Sequence, residues 1–123
     1  MEQKVCFDSD VIIDHINQKG ISRLETFLEK GTNLFVSSVS IFELGLRTTN
    51  REKAESFLRL FKVVDFDEPS AMIAARITRE LDKKGTPLEF RDVFIAATCI
   101  SNNCTLVTNN KRDFERIKDL RMA

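Results

Sequence analysis

The sequence predicts an open α/β fold: a parallel sheet covered by helices on both faces. Two observations predict it. The short runs VCF (5–7), LFV (34–36), KVVDF (62–66) and TLV (105–107) are dominated by apolar, β-branched and aromatic residues, as buried strands are. Between them lie longer segments whose apolar residues recur at helical spacing. Strands that alternate with helices pair in parallel, because each helix supplies the long crossover that a parallel pair requires.

The elements follow in order. VCF runs directly into SDVIIDHINQ (9–18), read as the first helix, and RLETFLEK (23–30) is a second that stops at Gly31. LFV leads into SVSIFELGLR (38–47), which opens on a serine able to cap a helix. REKAESFLRLF (51–61) is amphipathic and precedes KVVDF. PSAMIAARITRELDKK (69–84) has Pro69 just inside its start and Gly85 just past its end. Proline's missing N–H costs nothing in a first turn, and glycine suits the backbone that ends a helix. RDVFIAATCISNN (91–103) is apolar on every side, which predicts a helix packed all round. TLV closes the series and is followed by the polar loop TNNKRDF (108–114).

At 123 residues the chain is expected to form one domain, 1–123, being long enough for one core and too short for two. With 31% charged and 42% hydrophobic residues it lies well outside the composition of disordered chains. Nineteen basic residues balance nineteen acidic ones, so no overall field draws the protein to nucleic acid or anionic lipid, and a polyanion must be held by a local patch. Cys6, Cys99 and Cys104 are odd in number, show no CxxC spacing and sit in or beside apolar runs, so they are expected to be reduced and buried. Neither a signal-peptide run nor an apolar stretch of membrane-spanning length is present, so a soluble, cytoplasmic protein is expected.

In an open parallel sheet, sites form beyond the carboxyl ends of the strands. Asp8 directly follows VCF and so falls on that edge. Asp92 opens the buried helix, where the positive end of the helix dipole stabilises an anion by roughly 0.3–1 kcal/mol. Asp113 lies just beyond TLV. Glu43 has Val39, Leu46 and Arg47 as helix-surface neighbours, which sets it at the border of an apolar stripe. Each acid also has a plain structural explanation. Asp8 and Asp92 are favoured helix caps, Glu43 can pair with Arg47 four residues on, and Asp113 is at home in a turn. Together, however, they aim carboxylates from several elements at one edge, an arrangement that raises their pKa values unless a cation compensates. Oxygen ligands with no nearby His or Cys suit a hard ion, Mg²⁺ or Mn²⁺, and hence phosphoryl transfer or phosphodiester hydrolysis.

FDSDVIID (7–14), VSIFELGLR (39–47), FRDVFIAA (90–97) and LVTNNKRDF (106–114), in that order, resemble the PIN-domain nucleases, in particular the small VapC-type toxin ribonucleases of toxin–antitoxin pairs. The resemblance covers nearly the whole chain. It implies a PIN-like three-layer α/β/α fold with a parallel five-stranded sheet, and Mg²⁺- or Mn²⁺-dependent cleavage of RNA. Asp8, Glu43 and Asp92 match the family's acids, with Asp8 and Asp92 as the most direct ligands. Thr108 matches a Ser/Thr that orients a neighbouring carboxylate or water. Where many members carry a fourth acid, Asn110 stands here, so either Asn110 is a neutral ligand or Asp113 reaches in. Glu43 or Asp113 is then the group that helps deprotonate the attacking water. The resemblance further implies an antitoxin partner and a homodimer.

Arg47, Arg51, Lys53, Arg91, Lys111, Arg112 and Arg116 lie in or beside these motifs and are candidates for phosphate contacts, with solvated helix faces as the plain alternative. The ten phenylalanines are read as core, and the sole histidine, His15, as a surface or border residue. FDSDV also resembles the nucleophile motif of haloacid-dehalogenase-type phosphatases, with Asp8 as nucleophile and Asp10 as acid/base, but the later lysine and paired aspartates of that family are missing. A non-catalytic PIN-like RNA-binding domain is the third reading, and Asn110 is its sequence hint.

Overall fold

The computed structural model describes residues 3–17 and 23–123. The end of the first predicted helix, at Gln18, lies outside them. The elements are β1 (Lys4–Phe7), α1 (Ser9–Ile16), α2 (Arg23–Glu29), β2 (Asn33–Ser37), α3 (Ser38–Arg47), α4 (Arg51–Leu58), β3 (Lys62–Val64), α5 (Glu68–Lys84), α6 (Phe90–Ser101), β4 (Thr105–Val107) and α7 (Lys111–Phe114). The strands form one parallel sheet in the order β3-β2-β1-β4.

The period-two alternation of each strand divides the interior into two cores. Val5, Phe7, Leu34, Val36 and Val107 pack with α1, Leu24 of α2, Leu44 of α3 and Ala54 of α4. Cys6, Phe35, Val64 and Leu106, on the other face, pack with α5, α6 and Phe114. A sheet covered on both faces needs apolar residues at every position, and β1, β2 and β4 have them: all but Lys4, Asn33, Ser37 and Thr105 are apolar, and all but Lys4 and Asn33 are buried. This is the three-layer arrangement expected from the sequence.

The fifth strand is a correction. The sheet has four strands and not the expected five, and beside β4 a single parallel bridge joins Leu106 to Met122. Leu106 N–H donates to Arg121 O at 2.9 Å and Ala123 N–H donates to Leu106 O at 3.0 Å. Residues 115–119 are taken up mainly by turns, so only a few extended residues lie alongside β4 and no ladder develops.

Helix ends obey their local chemistry. Ser37, one residue before the expected cap, accepts a hydrogen bond from Val39 N–H at 3.1 Å and starts α3. Asp67 accepts from Ser70 N–H at 3.1 Å to start α5, whose end is Gly85 at φ 70°, a left-handed conformation that side chains with a Cβ resist. The loop expected after TLV contains the short helix α7, so Asp113 is helical. The cysteines are free and buried, as expected.

The strand order positions the site. The chain moves from β1 outward through β2 to β3, then returns through α5 and α6 to place β4 on the other side of β1. The crevice between the carboxyl ends of β1 and β4 is therefore the point where the strand order reverses, the location at which such sheets bind ligands.

Phe7 seals this central strand. It is fully buried and meets Phe27 and Phe61 edge to face at centroid distances of 5.4 and 5.8 Å. Phe7→Ala is expected to lower the unfolding free energy by about 3–5 kcal/mol, read as a fall in the urea midpoint at constant slope.

Candidate active site

Asp8 follows β1 and Thr108 follows β4, so the two face each other across the switch point. Thr108 Oγ1–H donates to Asp8 Oδ2 at 2.8 Å, and both residues are buried. Asp8 Oδ1 accepts from Ser9 N–H at 2.8 Å, and Asp8 N–H donates to Val107 O at 2.9 Å. Asp8 is thus the N-cap of α1 as well as a site candidate. The capping explanation is correct for it and excludes nothing, because each carboxylate oxygen retains a further lone pair.

Thr108 extends the chain of contacts. Its hydroxyl accepts from Asn110 N–H at 3.0 Å, and Asn110 Nδ2 donates to Asp113 Oδ2 at 3.0 Å. Asn110 and Asp113, alternatives in the sequence, are therefore joined, with the amide holding the carboxylate. Arg116 lies 3.6 Å from the other oxygen of Asp113. Arg23 of α2 braces the same turn by donating to Thr108 O at 2.7 Å. Sequence reasoning missed Arg23. No motif marks it, and its target lies 85 residues away.

Asp92 stands in the first turn of α6, whose N-cap is Glu89, so the reading of Asp92 as a plain cap is overturned. Glu43, in α3, is buried. It pairs with Arg91 at 3.3 Å, where a pairing with Arg47 had been the alternative. Its second oxygen, Oε1, is buried without a hydrogen-bond partner among the described residues.

The acids perturb one another. Asp8 is pushed up to about 6, mainly by loss of solvent, with the charges of Glu43 and Asp92 adding to it; the Thr108 and Ser9 hydrogen bonds act the other way and do not prevail. Asp92 is also raised to about 6, by desolvation first, then by Glu43, Glu89 and Asp113, with Arg91 opposing. Asp8, Glu43, Asp92 and Asp113 thus form one electrostatically connected group, linked through Asp92. Asp10 is raised to about 6 as well, by desolvation and then by Asp8. It is engaged on the outer side, where Asn109 N–H donates to it at 3.3 Å.

Among the described residues no three His, Cys, Asp or Glu side chains converge closely enough to make a finished metal cage. The donor set nevertheless fits a hard divalent cation. It consists of oxygen ligands, it is short of positive charge, and Glu43 Oε1 is an unused buried acceptor. Of the phosphate candidates, Arg91 and Arg116 touch these acids, whereas Lys53 donates to Ile16 O at 2.8 Å. His15 stacks on Phe57 at 4.7 Å and borders a cavity of about 580 Å³ that shares no residue with the acidic group.

A family model described as PIN domain matches residues 5–120. The tRNA(fMet)-specific endonuclease VapC of Salmonella typhimurium is 32% identical over 97% of this chain and 96% of its own. Ribonuclease VapC1 of Methanocaldococcus jannaschii is 30% identical over 96% of this chain and 84% of its own. Among solved structures, DNA-bound VapBC from Salmonella typhimurium superposes with a TM-score of 0.85 at 30% identity, covering 98% of this chain and 97% of that one. VapBC2 from Rickettsia felis, bound to a promoter DNA fragment, gives 0.84 at 27% identity, covering 98% of both chains.

A carboxyl with a higher pKa folded than unfolded binds more protons in the folded state, so its contribution to stability is present at low pH and is lost as pH rises through the folded value. For Asp8 that window runs from the ordinary value near 4 up to about 6. In EDTA, Asp8→Asn is therefore expected to gain on the wild type in melting temperature as pH rises from about 4 to about 6. Parallel melting curves across that window would show the shift is absent.

Proposed function

The chain belongs to the PIN-domain family, and on that premise we propose that it is a divalent-metal-dependent endoribonuclease, the toxin of a toxin–antitoxin pair. The observation that carries the proposal is Asp8 at the switch point, aligned by Thr108 and charge-coupled to Glu43 and Asp92. Relatives named as ribonucleases and a tRNA endonuclease, matched over nearly their whole length, support RNA as the substrate. The same match over residues 5–120 sets aside the haloacid-dehalogenase reading.

Asp8 and Asp92, with Glu43 or Asp113, would hold the ion, for which Mg²⁺ or Mn²⁺ suits the oxygen donors. When bound, the ion supplies Lewis acidity toward the phosphodiester and a more acidic water. The protein's own residues do the rest. Thr108 fixes the orientation of Asp8, and Asn110 fixes that of Asp113. Glu43 has one buried oxygen without a hydrogen-bond partner among the described residues, which supports it, over Asp113, as the group that accepts the proton of the attacking water. Arg91 and Arg116, exposed and adjacent to the acids, provide local positive charge in a chain of zero net charge.

The similar solved chains are VapBC toxin–antitoxin complexes, which supports an antitoxin partner for this chain. We assign it a homodimer as well, and Phe42 and Leu46, adjacent on α3 and 59% and 67% exposed, are apolar surface for an interface. Among the described residues no helix is long and apolar enough to cross a membrane.

Cleavage of labelled single-stranded RNA is expected with Mg²⁺ or Mn²⁺, to stop with EDTA, and to fall by at least about a hundredfold in Asp8→Asn and Asp92→Asn. Thr108→Val, which removes only the orienting hydroxyl, is expected to cost about ten- to a hundredfold in activity or metal affinity. Metal-independent cleavage, or full activity of Asp8→Asn, would remove the assignment. Light scattering of the isolated chain is expected to give twice the monomer mass, and monomer mass at micromolar concentration would contradict the dimer.

A further inference from the structure

Arg91 is a cation lodged on the wall of the acidic group. Its Nη1 is 3.3 Å from Glu43 Oε2 and its Nη2 is 3.4 Å from Glu89 Oε2. The guanidinium thus spends one nitrogen on each of two carboxylates, instead of gripping one with both as arginine does in its strong pairs. Glu43's side chain is 11% exposed and Arg91's is 48%. The acid is held in the wall, while the base reaches it from solvent. Because the guanidinium side of the contact is open to solvent, water or another partner can compete for it. Arg116 on Asp113 differs, because its Nη1 is also tied to Pro87 O at 3.2 Å.

One carboxylate therefore carries a guanidinium on Oε2 and, on Oε1, a buried acceptor with no hydrogen-bond partner among the described residues. A divalent cation drawn to Glu43 would face Arg91 across that single carboxylate, and like charges at such separation repel. The cation has Asp8 and Asp92 to hold it, whereas Arg91 has a long exposed arm and water. Arginine's planar fork matches phosphate as well as carboxylate, so the displaced group has a ready second partner in the RNA backbone.

Resting on the metal-dependent reading above, we infer that Arg91 is a partner-switching positioning residue. It neutralises Glu43 while the site lacks a cation and turns to the RNA phosphodiester once a cation has taken its place. The arrangement keeps a buried carboxylate from standing uncompensated in the empty site, and it frees a phosphate-binding group only when the site is loaded.

The test titrates Mn²⁺ into the full chain without RNA, followed by electron paramagnetic resonance, for wild type, Arg91→Gln, Arg91→Lys and Asp8→Asn. It then measures KM and kcat on single-stranded RNA at saturating Mn²⁺. Arg91→Gln is expected to bind Mn²⁺ about tenfold more tightly, a common size for coupling between neighbouring sites. Its KM is expected to rise by about the same factor, with a smaller change in kcat. Arg91→Lys, which keeps the charge, should stay close to the wild type in Mn²⁺ affinity. A residue that merely supported the fold would weaken metal binding when replaced. Wild-type Mn²⁺ binding that Arg91→Gln leaves unchanged or weakens overturns the inference alone. Tighter Mn²⁺ binding with an unchanged KM overturns the switch to phosphate. Absence of Mn²⁺ binding by the wild type overturns the metal reading, and the inference falls with it.

Discussion

The side-chain hydrogen bond from the Thr108 hydroxyl to the Asp8 carboxylate links the ends of two strands across 100 residues of chain. It exists because the chain, having laid β2 and β3 on one side of β1, returns to lay β4 on the other. The crevice at that reversal is where a parallel sheet leaves its carboxyl ends least covered. Most of what surrounds the site extends from this bond. Thr108 accepts from the backbone of Asn110, Asn110 holds Asp113, and Arg23 steadies the carbonyl of Thr108. A hydroxyl suits this place, because it donates to the acid and accepts from the backbone at once.

The electrostatics of the edge are those of a site deprived of positive charge. For Asp8, loss of solvent outweighs two good hydrogen bonds, and the neighbouring acids act in the same direction. Natural proteins keep such arrangements where function requires them, since an unpaired buried charge costs more than almost any other local feature. Arg91 relieves part of the cost at Glu43 and leaves Oε1 without a hydrogen-bond partner among the described residues. Small residues of α6, Ala96, Ala97 and Cys99, lie fully buried against the sheet. That packing holds the start of α6, and Asp92 with it, at the edge.

How far the fold and site could be read in advance depended on the range of the interaction concerned. Strands, most helices and the two-faced sheet were legible, because alternation and helical spacing report burial directly. The proline-first, glycine-last signature of α5 held, since both residues act on their own backbone. The fifth strand did not follow, because a ladder depends on what the neighbouring segment does, and turns after α7 leave a single bridge. The helical state of Asp113 was missed for a similar reason: four residues are too few to show a period.

The same division runs through the site. The sequence by itself determined that Asp8 and Asp113 lie just beyond strands, that Asp92 opens a buried helix, and that the donors are oxygens suited to a hard cation, because each follows from local pattern and side-chain chemistry. Only the tertiary structure decided that Glu43 meets Arg91 and not Arg47, that Asn110 serves Asp113, and that Arg23 supports Thr108. The first was decided by how α3 and α6 pack, the second by the short helix after β4, and the third by the reach of Arg23, at the start of α2, to the end of β4. The Arg91 and Arg23 contacts have no local signature, since each joins segments far apart in the chain, and the Asn110 contact, though it spans only three residues, forms only once that helical turn does.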